Sequence, residues 1–318
     1  MDFFFTAGSL DQLFKKLQVQ AAVERAKRSN RHTLILTSFD INHFPKGILE
    51  LQYLYKLCLS KNALVSLPEE ISALENLAIL SVSRNKLACL TKGLFCIESL
   101  RKLNLSHNPI SVLPPEIGQL VNLEVLWLNR TGLRCLPPEI KNLTQLDTLG
   151  ARGNFLSELP HDLYQLQSLR WLTLSGNQIK QLSETKWNNL IHLNMSKNEF
   201  VELPASLLGM EKLRYCFFTG NPLKIVSRQL LKGLAHLALL DLRDCGVVNV
   251  NLEKFIFVEL KKERELEGDS SESDEDWLDS VNSSELDSST DEQEDIPDAM
   301  DKLVLVPFIS KYAQGCSK

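Results

Sequence analysis

Leucines recur every 23 residues, at Leu54, Leu77, Leu100, Leu123, Leu146 and Leu169. The phase resumes at Leu190 after a two-residue deletion, at Leu213, and at Leu237 after a one-residue insertion. Each opens the pattern L-x-x-L-x-L-x-x-N-x-L. The unit from Leu123 shows it well, with Leu126, Leu128, Leu133, Leu136, Pro137, Ile140 and Leu143 before Leu146 restarts it. The polar slot reads Asn62, Asn85, Asn108, Thr131, Asn154, Asn177, Asn198, Asn221 and Cys245. Leucine is common enough to align by chance; leucines and asparagines in one phase are not. Extended backwards, the pattern gives a degenerate first unit from Arg31, with Leu34, Leu36, Phe39, Ile41, Phe44 and Pro45. About ten units therefore fill residues 31–250.

A unit this short holds one strand, a turn and a return segment, too little to bury its own apolar face. Stacked neighbours build one continuous core, and the chain becomes a quasi-one-dimensional solenoid. The L-x-L alternation sends leucines inward and leaves the intervening side chains on an open sheet face. Each buried Leu contributes roughly 1.5–3 kcal/mol. The slot asparagine stands where the chain leaves the strand and can bond backbone groups that would otherwise go unpaired, at about 1–3 kcal/mol each. Thr131 and Cys245 lack the amide, which predicts local irregularity there.

Five return segments read L-P, at Leu67-Pro68, Leu113-Pro114, Leu136-Pro137, Leu159-Pro160 and Leu203-Pro204. With the L-P-x-x-I-x-x-L spacing, residues 31–250 resemble intracellular leucine-rich repeat proteins of the Ras-group type, which includes Scribble-like and Ras-suppressor-like members. The resemblance implies an α/β solenoid, a leucine-rich repeat horseshoe with a parallel sheet on its concave face, and a role as a binding scaffold. It specifies no partner.

Flanking segments divide the rest of the chain. Residues 1–30 are expected to form an N-terminal segment and cap helix. Ser9 with Gln12 reads as a capping box, and Leu10, Leu13, Phe14 and Leu17 then recur at helical spacing, with the helix running from about Ser9 to Arg28. Shielding of the first repeat is the favoured role; partner binding is the alternative. Residues 251–267 read as a C-terminal cap ending in a solvated helix. Residues 268–302 form an acidic, Ser-rich tail whose composition predicts disorder. Residues 303–318 form a short apolar C-terminal segment, with Leu303–Ile309 expected to dock on the protein itself or on another. Ser271, Ser273, Ser284 and Ser288 each carry an acid three residues on and are candidate phosphorylation sites for an acidophilic kinase.

Charge follows the same division. Residues 268–301 hold 14 acidic and no basic residues, leaving 26 acidic against 35 basic elsewhere. The tail is expected to fold over the basic concave face and compete with a partner. Seven cysteines show no CxxC pair and no cluster flanking the repeats. Reduced, buried thiols in the cytoplasm or nucleus are expected. The N-terminus lacks a basic region before its short apolar run, which argues against a signal peptide, and no apolar run reaches the length of a bilayer span.

Pattern arithmetic assigns the side chains of the open face. Trp127, Arg130, Arg152, Arg170, Trp171, Arg214, Tyr215 and Phe217 are the candidate partner-binding residues, because Trp and Arg dominate binding hot spots. Lys56, Lys61, Arg84, Lys102 and His107 extend the face, and Asp241 and Asp244 turn its last unit acidic. Gly150, Gly153, Gly176 and Gly220 are expected to leave room around the two indoles. The chain carries no P-loop, G-x-S-x-G, H-E-x-x-H or metal-spaced Cys/His set. We therefore expect no enzyme, no cofactor and no metal. The reading is an intracellular scaffold or adaptor, monomeric, that binds a protein such as a small GTPase, a phosphatase or a ubiquitin-ligase component. Nucleic acid is disfavoured by the net charge of −5. The alternative is a nuclear protein that binds basic clients such as histones through its acidic tail.

Overall fold

The computed structural model describes residues 7–183, 187–246 and 257–259. The chain divides into two compact units, Met1–Lys262 and Glu263–Lys318, and everything described belongs to the first. The candidate phosphorylation sites, the acidic tail with its expected competition for the concave face, and the apolar C-terminal segment lie outside the described residues.

Ten short parallel strands follow the repeat: β1 (Thr33–Ile35), β2 (Lys56–Cys58), β3 (Ile79–Ser81), β4 (Lys102–Asn104), β5 (Val125–Trp127), β6 (Thr148–Gly150), β7 (Trp171–Thr173), β8 (His192–Asn194), β9 (Tyr215–Phe217) and β10 (Leu239–Asp241). Each pairs with the next in the chain, in one sheet. The middle residue of every one of these strands, from Leu34 to Leu240, is buried. So are the leucines that open the units, each at 4% exposure or less from Leu54 to Leu237. One continuous core runs beneath the sheet, as the repeat requires.

An eleventh strand, β11 (Val258–Glu259), pairs with β10 through Leu240↔Val258 and Asp241↔Glu259. Of the expected C-terminal cap at residues 251–267, only 257–259 are described; there Val258–Glu259 extend the sheet, because the edge of β10 offers amides and carbonyls that another strand satisfies.

Return segments take their form from proline. Where Pro45, Pro68, Pro114, Pro137, Pro160 or Pro204 stands at the N-cap, a single 3-10 turn follows. Its fixed φ and missing N–H suit that position. Two units that lack it turn α-helical instead: α2 (Lys92–Phe95) after Thr91, and α3 (Arg228–Gly233) after Ser227. Ser227 Oγ accepts from Leu230 N at 3.4 Å, an ordinary N-cap. In the shortened unit Trp187 fills the core at 2% exposure, and its Nε1 donates to Leu163 O at 3.2 Å.

The asparagines tie unit to unit. The Asn108 amide donates to Val82 O and Leu105 O, both at 2.9 Å, and its oxygen accepts from Leu87 N at 3.1 Å. Asn85, Asn177, Asn198 and Asn221 repeat the arrangement. Thr131 breaks it as expected. Its hydroxyl reaches Leu128 O at 2.8 Å but has one hydrogen to give, and the preceding turn changes path. There Ile110 N bonds Asn108 O, and Ser111 takes a φ of 54°. At the other exception, Cys245 Sγ donates to Phe218 O at 3.1 Å.

The N-terminal helix α1 spans Ala7–Arg28. Ser9 lies inside it, so the expected capping box is not its start. Its packing face also differs from expectation. Val19, Val23 and Ala26 are buried, Val23 lies over Gly47, and Tyr53 Oη donates to Ala26 O at 3.0 Å. Leu10, Leu13, Phe14 and Leu17 are instead 48–60% exposed. The second half of the helix meets the first repeat; the more conspicuous apolar stripe does not. Of the cysteines, Cys58 and Cys216 are buried, whereas Cys89, Cys96 and Cys135 are exposed free thiols, contrary to the expectation of buried ones.

Asn108→Ala leaves Leu105 O and Leu87 N without partners and removes one of the two bonds to Val82 O, which keeps the one from Asn85, so the loss should be about 3 kcal/mol. Asn108→Thr, which keeps one bond as Thr131 does, should lose less. Urea denaturation midpoints of the two variants check the order, and equal losses would contradict it.

Candidate functional site

Strand register decides what the open sheet face presents. On either side of the buried middle row runs one row that faces the open side, the first mostly half-buried and the second mostly buried. The first carries Lys56, Ile79, Lys102, Val125, Thr148, Trp171, His192 and Tyr215 in sequence; the second carries Cys58, Ser81, Asn104, Trp127, Gly150, Thr173, Asn194 and Phe217. Trp127 and Trp171 therefore stand on different rows, two strands apart, and each has its own support.

Trp127 is half-buried and pairs across the ladder with Gly150. A Cβ on Gly150 would lie 2.1 Å from Trp127 Cε3 and 2.3 Å from Cζ3. The indole thus lies flat over the next strand, and only glycine admits it. The other three glycines do not serve the indoles. Gly153, Gly176 and Gly220 have φ of 66–68° and form the turn out of each strand; Gly153 lies under Arg130 and Gly220 under Lys197.

Trp171 stacks on His192 with ring centroids 3.8 Å apart and planes within 5°. His192 in turn meets Phe217 at 5.1 Å. Phe217 is on the predicted face but only 5% exposed, so it supports His192 from beneath and does not present a contact to a partner. Tyr215 follows His192 on the first row and is half-buried. The assembly is one aromatic platform: Trp171 and Tyr215 outermost, with His192 and Phe217 filling the space between strands. The repeat phase resumed at Leu190 puts His192 opposite Trp171, but its residue type alone gives no signal that it belongs to a site.

The arginines divide by edge. At the leading edge Arg170 pairs with Asp147, Arg101 pairs with Glu124 at 2.5 Å, and Arg214 Nη1 donates to His236 O at 2.7 Å. These three are held by their own neighbours. At the trailing edge Arg130 is exposed and Arg152 half-exposed. Trailing-edge residues Lys61, Arg84, His107 and Arg130 have φ of 51–57°, the left-handed region, which costs a non-Gly residue of order 1 kcal/mol. Lys102 is half-buried, and that desolvation lowers its ammonium pKa against the opposing pull of Glu124, with Lys56 adding to the fall. The acidic end expected of the last unit is muted, because Asp241 is buried and bound by Arg243 Nε at 3.0 Å and Nη2 at 2.6 Å.

Among the described residues no group of three or more His, Cys, Asp or Glu could hold a metal, and no helix is long and apolar enough to cross a membrane. Burial raises the pKa of the Cys216 thiol, which keeps it protonated and unreactive.

Burial pushes His192 down to about 3 from its ordinary 6.5. Below pH 6.5 the unfolded chain binds a proton that the folded chain refuses, so stability is full above that pH and falls as pH drops towards 3. The slope is about 1.4 kcal/mol per pH unit. Between pH 7.5 and pH 5 the loss through this residue should reach about 2 kcal/mol. His192→Phe should remove that part of the slope; urea midpoints of both proteins across the range check it.

Family models for leucine rich repeats match residues 52–110 and 98–142. No curated protein matches the chain. Among solved structures, an internalin (InlF) from Listeria monocytogenes is similar at 20% identity and a TM-score of 0.63, over 73% of this chain and 67% of that one. The functional domain of InlJ, also from Listeria monocytogenes, is similar at 22% identity and 0.59, over 72% and 53%. A plant peptide hormone receptor, RGFR1 in complex with RGF2, is similar at 24% and 0.55, over 68% and 38%. At these identities the likeness is one of fold. With the repeat read from the sequence, the parallel sheet and the asparagine ladder, it establishes the fold as a leucine-rich repeat solenoid.

Proposed function

We propose that this protein is a non-enzymatic interaction scaffold that takes a protein partner on its concave face, centred on Trp127 and the Trp171 platform. One observation carries the reading: Trp127 remains half-exposed on the open face while Gly150 gives up its side chain to seat it. Packing alone explains a buried indole, as at Trp187. It does not explain an indole held flat on a solvated sheet, where a Trp anchor is worth most to a partner. Arg130 and Arg152 flank Trp127 and supply charge that a partner's polar rim can meet.

The L-P-x-x-I return segments support the intracellular, Ras-group type, and exposed free Cys89, Cys96 and Cys135 suit a reducing compartment. A small GTPase, a phosphatase or a ubiquitin-ligase component fits this reading. Leucine-rich repeat folds are typically interaction modules.

Affinity capture from cell extract tests the site. The intact protein and a Trp127→Ala/Arg152→Ala/Trp171→Ala variant, matched by far-UV spectrum, serve as baits. Partners retained by the first and lost from the second support the concave site; identical captures sink it. Gly150→Ala, which drives a methyl into the Trp127 ring and removes no polar group, should weaken the same partners at least ten-fold.

A further inference from the structure

The trailing edge of units two to five carries a surface distinct from the aromatic platform. Lys61, Arg84, His107 and Arg130 hold the same slot in four consecutive units, each in the left-handed region. Their amides donate to Ser83 O, Ser106 O, Asn129 O and Arg152 O at 2.7–2.9 Å. The four side chains therefore leave the backbone in register, at the strand spacing of about 4.8 Å.

The next two units show what the fold accepts in this slot. Gly153 and Gly176 adopt the same conformation with no steric penalty. Units two to five instead keep a strained residue with a long basic side chain or an imidazole. Lys56 and Lys102 add charge to the same face on the first row, nearer the leading edge and across the second row from this rail. Segments 56–61, 79–84, 102–107 and 125–130 together hold six Lys, Arg or His and no Asp or Glu. Glu124, at the leading edge, pairs with Arg101 and also acts on Lys102.

We propose that this rail binds an extended acidic segment of a partner protein, lying across the strands of units two to five with its carboxylates or phosphates on Lys61, Arg84 and Arg130. Four rungs cover about 15 Å, the length of about five extended residues. The proposal rests on the concave-face reading and adds to it the chemistry of the partner. A single-stranded nucleic acid would meet the same cations. It needs an aromatic face for successive bases, however, and besides the His107 imidazole Trp127 is the only aromatic side chain in the four segments. The whole chain, at a net charge of −5, also repels a polyanion.

Fluorescence anisotropy with the full-length protein decides the matter. The probes are a labelled dodecapeptide of alternating Glu and Ser, its phosphoserine form, a Lys/Ser peptide and a single-stranded DNA dodecamer. Both acidic peptides should bind, and binding should weaken at least ten-fold between 50 and 200 mM salt. Arg84→Gly/Arg130→Gly should weaken it ten-fold or more with the urea midpoint unchanged or raised, because glycine suits both positions. Lys232→Glu on α3 should leave it unaltered. Acidic peptides that bind no better than the Lys/Ser peptide, an unchanged double variant, or tighter binding of the DNA would each overturn the proposal. The Trp127→Ala/Trp171→Ala protein keeps the rail, so its peptide binding separates a failure here from a failure of the concave anchor.

Discussion

Everything in this structure depends on how a chain that turns back every 23 residues satisfies its backbone. A strand of three residues contributes few ladder bonds, and the turn that follows would bury several amides and carbonyls unpaired. One side-chain amide per unit resolves this by donating to carbonyls of its own unit and the one before, while accepting an amide of the earlier turn. The bond set crosses the unit boundary, so it fixes the stacking distance as well as the turn. Where Thr131 stands in the slot, the stack survives and the preceding turn is redrawn. The fold tolerates a reduced bond set at one unit because its neighbours hold it in phase.

That regularity makes the open face a grid on which function is written separately. Core positions admit little besides leucine, and the turn slot little besides asparagine. The two rows on the open side carry no such requirement, and the glycine that seats an indole and the stacked indole–imidazole pair are the features on which the proposed partner site rests. The trailing edge makes the same point through strain. Glycine is acceptable there, as three units show, yet five of the other units use Lys, Arg or His at positive φ.

The ends obey a different logic, because a solenoid exposes core at both. The first repeat is covered by Val19, Val23 and Ala26 of α1, and the last full strand is continued by Val258–Glu259. Neither solution follows from the repeat pattern. In α1 two apolar stripes were available, and the smaller side chains of the second half packed beneath Tyr53 and over Gly47.

From sequence alone come the number and phase of the repeats, the parallel sheet, the buried leucine rows and the rows on which Trp127, Trp171 and the arginines lie. Each of these is periodic, and a fixed period leaves no freedom in which side of a strand a residue occupies. The tertiary structure alone decides what non-periodic contacts decide. It buries Phe217 and His192 while leaving Trp171 at the surface, and it ties Arg170 to Asp147 and Asp241 to Arg243. It also selects the face of α1 that docks and adds an eleventh strand. Periodicity assigns direction; only packing against particular neighbours assigns exposure.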